Sequence, residues 1–180
     1  MNIDQAIFGR RTIHKYTEAP VPTAVMDSIV HAAHQAPNHK LTWPWRFTMV
    51  GRKTREQLLP IAYRLKNAAE PPMQARIRSK LMNPGGLIVV TVKRSDDAHR
   101  QQEDYAASCC AIQNLMLSAY ALGFGTKWST GALTKHPDVC ACLGIDLNLE
   151  DVVGFIWVGV PAAVPTIQRP DIEVHVRQLP

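Results

Sequence analysis

Apolar residues recur at helical spacing through much of the chain and predict a series of amphipathic helices. Ile3, Ala6 and Ile7 share one face of a first short helix, which Asn2 can cap and Gly9 can end. The further predicted helices run from Thr23 to Pro37, from Thr54 to about Ala69, and over residues 73–82, 103–122 and 136–144. A polar loop is predicted at 93–102, and a proline-bearing tail that wraps a surface from Pro161.

Two near-continuous apolar runs, LIVVTV at 87–92 and DVVGFIWVGVP at 151–161, predict buried strands. Shorter strands are predicted at 46–50 and at the start of GTKWSTGAL, residues 125–133. Helices that surround a few buried strands form a layered α/β or α+β sandwich. The helix at 103–122 is apolar on most sides, so we expect it to be buried in the core or in a subunit interface.

Composition indicates a globular protein. The 180 residues suit a single domain that spans 1–180, and 46% of them are hydrophobic. No apolar run approaches the roughly 18–20 residues of a membrane helix, and MNIDQAIFG lacks the basic and apolar regions of a signal peptide. The four cysteines have no metal or redox spacing and are expected to be reduced core residues. We therefore expect a cytoplasmic protein.

Several classes of site are disfavoured because their motifs are missing. The chain has no GxxxxGK[ST] phosphate loop, no GxGxxG turn, no GxSxG elbow and no HExxH pair. The histidines show no metal-ligand spacing, so no metal is expected, and the carboxylates do not pair for acid–base catalysis. The net charge of +5 is modest and no nucleic-acid motif accompanies it. A bound anion accounts for this excess of positive charge as easily as a nucleic acid.

The stretch FGRRTIHKYTEAPVP at residues 8–22 concentrates basic side chains directly after the first helix. Arg10, Arg11 and Thr12 make a good phosphate grip, because guanidinium donors form a planar fork that matches phosphate oxygens. The two arginines would equally complement the C-terminal end of the helix. From this segment alone, phosphate binding and helix stabilisation both remain open.

Two further segments place polar groups next to predicted strands. QAPNHKLTWPWRF at 35–47 puts Asn38 and His39 on a stiff loop before a strand, where α/β folds bind ligands, although helix capping explains them equally well. In GFGTKWSTGAL, the small residues Ser129, Thr130 and Gly131 let backbone N–H groups approach a flat ligand. An ordinary strand-to-helix turn has the same composition.

Together these segments resemble the nitroreductase family of flavin enzymes. RRTIHKY at 10–16 is similar to the family's Arg-Arg-Ser/Thr-x-Arg/Lys-x-Phe/Tyr run, and APNHKLTWPWRF at 36–47 to the loop after its second helix. GFGTKWSTG at 123–131 and VVGFIWVGVP at 152–161 resemble its late glycine segment and its last core strand. The resemblance implies an α+β fold, a three-layer α/β/α sandwich with a mostly antiparallel central sheet. It also implies a homodimer with helix 103–122 at its centre.

By this resemblance the chain binds FMN in clefts at the dimer interface. Arg10 and Thr12 would hold the phosphate, with Arg11 near the phosphate or the ribityl chain. His14 would lie beside the pyrimidine edge of the ring, where positive charge favours the reduced cofactor. By the same resemblance Gln35, Asn38 and His39 would line the pocket, with His39 from either subunit. Trp128, Ser129 and Thr130 would lie along the isoalloxazine, and the amide of Thr130 or Gly131 would point at flavin N5 or O4.

The implied activity is ping-pong hydride transfer from NAD(P)H through FMN to an electron-poor acceptor such as a nitroaromatic or a quinone, with no protein acid or base. Leu41 and Trp43 replace polar residues that the family usually has in this loop, which leaves the acceptor open. Arg169 and Arg177 are candidates for the family's C-terminal phosphate contacts. The alternatives are a flavin-dependent dehydrogenase or dehalogenase of the same fold, a non-enzymatic FMN-binding or storage protein, and an anion- or RNA-binding protein.

Overall fold

The structure, a computed structural model, describes residues 1–180 and contains six α-helices and four strands. The helices are α1 (Ile3–Gly9), α2 (Thr23–His34), α3 (Arg52–Leu65), α4 (Pro71–Met82), α5 (Ala98–Ala121) and α6 (Pro137–Cys142). The strands are β1 (Trp45–Met49), β2 (Gly86–Lys93), β3 (Gly125–Ser129) and β4 (Glu150–Gly159). Short 3₁₀ turns cover His39–Leu41, Ala132–Lys135 and Ile172–His175. None of the helices has the length and apolar character that crossing a bilayer requires.

The four strands form one antiparallel sheet in the order β1-β2-β4-β3. The two long apolar runs become the central strands β2 and β4, which are almost entirely buried, as predicted. At the β3 edge the segment after α1 continues the sheet. Thr12 forms a parallel bridge with Thr126, and the Ile13 N–H donates to the Thr126 carbonyl at 2.9 Å. The basic segment is therefore held against the same sheet edge as Ser129.

Helices cover both faces of the sheet, which confirms the predicted three-layer α/β/α sandwich. On one face, α2 and α5 pack over a core of 17 buried residues that includes Ile112 and Ile156. On the other face, α3, α4 and α6 pack over a core of 16 buried residues that includes Leu58 and Phe155. The sheet is thus shielded from water on both sides. This explains why the residues of its central strands do not alternate between apolar and polar.

α5 is the predicted long helix, but it begins earlier and buries only one side within the chain. The Asp97 side chain accepts hydrogen bonds from the N–H groups of His99 and Arg100, so the helix begins at Ala98. Half of the predicted polar loop is therefore helical. The side of α5 that packs on the sheet is buried, whereas Ala106, Cys110 and Gln113 on the opposite side are exposed.

The boundaries of α3 also differ from the prediction. The helix begins at Arg52 with Gly51 as its cap, so Thr54 is an internal residue. It ends at Leu65, before Ala69. Because glycine is an acceptable N-cap and carries no side-chain signal, the true start is not visible in the local pattern.

Candidate functional site

A cleft of about 920 Å³ opens beside β3, on the side of the sheet that α3 and α4 cover. Its lining includes Phe155 and Trp157 of β4, residues 14–16, part of α4 and the turn after β3. Successive side chains of a strand point to opposite faces, so Lys127 and Ser129 both face the cleft. A cleft of this size falls within the range of pockets that hold cofactors and small ligands.

The cleft brings together four residues predicted for the site, His14, Ser129, Thr130 and Gly131. The N–H groups of Thr130 and Gly131 donate to no backbone carbonyl. A Cβ built on Gly131 would meet no atom within 4 Å. The two N–H groups of this turn are therefore unpaired within the chain, and the empty space beside Gly131 lets a flat ligand come close to this backbone.

The arginines that precede His14 lie outside the cleft lining. Arg11 Nη1 donates to the carbonyls of Phe8 at 2.6 Å and Arg10 at 2.9 Å, so this guanidinium satisfies carbonyls at the end of α1. Arg10 forms no ion pair. Burial, and then the charges of Arg169 and Arg11, lower the pKa of Arg10. The structure thus places Arg169 within electrostatic reach of Arg10, which no local pattern in the sequence indicates.

Gln35, Asn38 and His39 do not line the cleft of their own chain. Gln35 is the C-cap of α2, and His39 is exposed at the start of a 3₁₀ turn. Asn38 Oδ1 accepts a hydrogen bond from the Trp43 N–H at 3.0 Å, so its side chain orders the loop. Within one chain, Gln35 and Asn38 therefore act as capping and loop-ordering residues.

The loop after α2 has an uncommon backbone conformation. Lys40, Leu41 and Trp43 have φ values of 54°, 53° and 47°, in a region that costs a non-glycine residue about 1–2 kcal/mol. Thr42 Oγ1 donates to Asp104 Oδ1 at 2.6 Å, and Asp104 is only 6% exposed on α5. This hydrogen bond anchors the loop to α5 while Leu41 and Trp43 remain exposed.

Trp128 lies on the face of β3 opposite to the cleft. Its Nε1 donates to the Val153 carbonyl at 3.2 Å, and its ring packs against the core beneath α2 and α5. A Cβ on Gly154 would lie 2.1 Å from Trp128 Nε1, so this position requires glycine. Within the chain the Trp128 side chain is part of the packing rather than of the cleft.

Most of the positive charge in the cleft comes from residues that the sequence reasoning does not identify. Lys66 follows α3, Arg76 and Lys80 lie on α4, and Lys127 lies on β3; these four side chains are named the cationic cluster. Burial lowers the pKa of Lys80, and the positive charges of the other three members lower it further. No local motif marks the cluster, because three separate elements must fold together to form it.

The chain is similar to known proteins in sequence and in fold. A model of the nitroreductase family matches residues 7–160. YfhC of Bacillus subtilis, provisionally named an NAD(P)H nitroreductase, is 29% identical over 91% of this chain and 86% of its own length. A nitroreductase-like family protein from Bacillus cereus has a TM-score of 0.84 and 24% identity, covering 99% of this chain and 96% of that chain. A protein from Desulfovibrio desulfuricans, provisionally named a nitroreductase and solved in complex with FMN, has a TM-score of 0.79 and 23% identity, covering 100% of this chain and 98% of that chain.

Proposed function

The chain belongs to the nitroreductase family, and we propose that it is an FMN-dependent oxidoreductase. In this proposal NAD(P)H is the electron donor and a nitroaromatic or quinone type of molecule is the acceptor, each occupying one cleft in turn by a ping-pong mechanism. The observation that carries the proposal is the cleft beside β3, which combines free backbone donors with cations that no carboxylate opposes. Residues 1–180 would form a single FMN-binding domain.

The residues of the cleft fit FMN in charge and in shape. No aspartate or glutamate lines the cleft, so a cofactor that carries a phosphate and gains negative charge on reduction meets no repulsion there. The free N–H groups of Thr130 and Gly131 can donate to the polar edge of a flat ring. Since Gly131 has no Cβ, the ring can approach this backbone closely.

We assign the FMN phosphate to Arg10, with Thr12 and Arg169 beside it. The pKa of Arg10 is lowered by burial and by two neighbouring guanidiniums, and Arg10 has no acidic partner in the chain. An anion would relieve this repulsion, and arginine forks match phosphate oxygens. Arg11 already donates to carbonyls at the end of α1. We therefore place it beside the phosphate or the ribityl chain and do not assign it as the main phosphate contact.

The protein contributes orientation and electrostatics rather than a reactive side chain. The hydride-transfer chemistry between donor and acceptor would be supplied by FMN when it is bound. His14 lines the cleft and would place an imidazole beside the ring. Phe155 and Trp157 give the cleft an apolar wall that excludes water and strengthens these polar contacts. No protein acid or base is assigned.

We propose further that two chains form a homodimer with FMN at the interface. Gln35, Asn38 and His39 lie away from the cleft of their own chain, so they can complete the site only in a partner's cleft. Two large apolar side chains of α1 are exposed, Ile3 by 62% and Phe8 by 75%. A subunit interface at α1 would bury them. Sedimentation velocity should give a dimer that weakens when Phe8 is changed to Glu; a monomer loaded with flavin would contradict this assembly.

The test begins with the absorbance spectrum of the purified protein and chromatography of any chromophore released by heat. The expected result is FMN, together with oxidation of NAD(P)H that depends on a nitroaromatic or quinone acceptor. A protein that holds no flavin and refuses added FMN would refute the proposal. Bound FMN that NADPH reduces only slowly would favour a flavin-storage protein instead. Turnover restricted to non-nitro, non-quinone substrates would favour a dehydrogenase or dehalogenase of the same fold.

A further inference from the structure

The cleft holds more positive charge than the assigned phosphate anchor explains. All four members of the cationic cluster line the cleft, and none of them forms an ion pair. The guanidiniums assigned to the FMN phosphate, Arg10 and Arg169, lie outside the cleft lining. The chain therefore has two separate groups of cations, and the proposed cofactor phosphate accounts for only one of them.

The cationic cluster places four like charges around one cleft, three of them on the exposed side chains of Lys66, Arg76 and Lys80. Like charges that share a cleft repel each other, and the lowered pKa of Lys80 reflects both its burial and this repulsion. No carboxylate of the protein lines the cleft to offset the charge. An anionic group from a ligand would remove the repulsion and accept charge-assisted hydrogen bonds from the arginine and the lysines.

We propose that the cationic cluster binds an anionic group, a phosphate or a carboxylate, of the molecule that exchanges electrons with the cofactor. The inference rests on the proposed function, because it takes donor and acceptor to occupy this cleft in turn. We assign this group to one of two sources, the additional phosphate that distinguishes NADPH from NADH or a carboxylate carried by the acceptor, and not to the diphosphate that both nucleotides share. Met73 and Ile77 of α4 line the cleft alongside Arg76 and offer apolar surface to the ring of such a molecule.

Two double variants that remove equal charge test the proposal. Lys66→Gln with Arg76→Gln removes two members of the cationic cluster and retains the two others. Lys53→Gln with Arg78→Gln removes one charge from α3 and one from α4, both exposed and outside the cleft lining. The second variant is the matched control, since it changes the net charge of the protein by the same amount.

Binding is measured by calorimetry on the flavin-loaded protein with para-nitrobenzoate and with para-nitrobenzyl alcohol, which differ mainly in charge. The rate of flavin reduction is measured in parallel as a function of NADPH or NADH concentration, which gives the affinity for each donor. We expect the cluster variant to lose roughly five- to fiftyfold in affinity for the more negatively charged member of one pair, para-nitrobenzoate or NADPH, and little for the other member. A loss for para-nitrobenzoate assigns an acceptor carboxylate, and a loss for NADPH that exceeds the loss for NADH assigns the donor phosphate.

Three results would overturn the proposal. One is an equal loss of affinity for both members of each pair. Another is a loss of affinity in the control variant as large as that in the cluster variant. The third is a loss of FMN affinity with riboflavin affinity retained, because the cluster would then hold the cofactor phosphate. A protein without flavin refutes the proposed function instead. In that case the same calorimetric comparison is made on the flavin-free protein, and it still decides whether the cluster prefers an anion.

Discussion

The hydrogen bond between Thr42 and Asp104 makes a sharp stability prediction. Asp104 is 6% exposed, and its carboxylate accepts no other side-chain hydrogen bond than the one from Thr42 Oγ1 at 2.6 Å. Thr42→Val keeps the shape of the side chain but leaves a buried carboxylate unpaired, which costs roughly 1.5–3 kcal/mol. For a chain of this length, that corresponds to a fall in Tm of roughly 3–12 °C. The loop of left-handed residues should also lose order.

The same substitution at Thr126 is a matched control with the opposite expectation. Thr126 is 1% exposed, and its buried Oγ1 has no hydrogen-bond partner. Thr126→Val removes an unsatisfied hydroxyl, so the free energy of unfolding should stay constant or rise by about 1 kcal/mol. Both variants are measured by urea unfolding followed by circular dichroism. Equal destabilisation of both would refute the reasoning, because loss of the hydroxyl would then matter irrespective of its partner.

Three further predictions concern the proposed site. Arg10→Ala should weaken FMN binding by roughly 1.5–3 kcal/mol and leave riboflavin binding unchanged, as measured by flavin fluorescence titration; an equal loss for riboflavin would remove Arg10 from the phosphate. Gly131→Ala should leave the free energy of unfolding within about 0.5 kcal/mol, since a Cβ meets no atom of the protein, yet lower FMN affinity severalfold; unchanged affinity would place the ring elsewhere. Burial raises the pKa of Cys109, which keeps it a thiol, so changing Cys109 and Cys110 together to Ala should preserve flavin content and turnover. Normal flavin content with lost turnover would indicate a redox role for these cysteines.

The sequence by itself determined the architecture, because the relevant signals are local. A run that is apolar on both faces is stable only in the centre of a sheet covered on both sides, and the runs at 87–92 and 151–161 became β2 and β4. The cap of α1 was equally readable, since Asn2 and Gln5 bond each other's backbone only three residues apart. Where a cap carries no distinctive side chain, as at Gly51, the boundary was misplaced.

The local sequence likewise identified part of the candidate site, whereas interactions between distant residues determined the rest. The turn Ser129-Thr130-Gly131 was identified from its small residues and His14 from the family resemblance, and all four residues line one cleft. The sequence did not show that Trp128 faces away from that cleft, because the face of an edge strand depends on its register with β4.

Only the tertiary structure revealed the cationic cluster and the contact between Thr42 and Asp104. The two residues of that contact are 62 positions apart in the chain, and the cluster draws on α3, α4 and β3. Local periodicity shows which side of an element is apolar, but it does not show which distant element packs against that side. The pairing of distant elements therefore decided which charges meet in the cleft and which loop is anchored to α5.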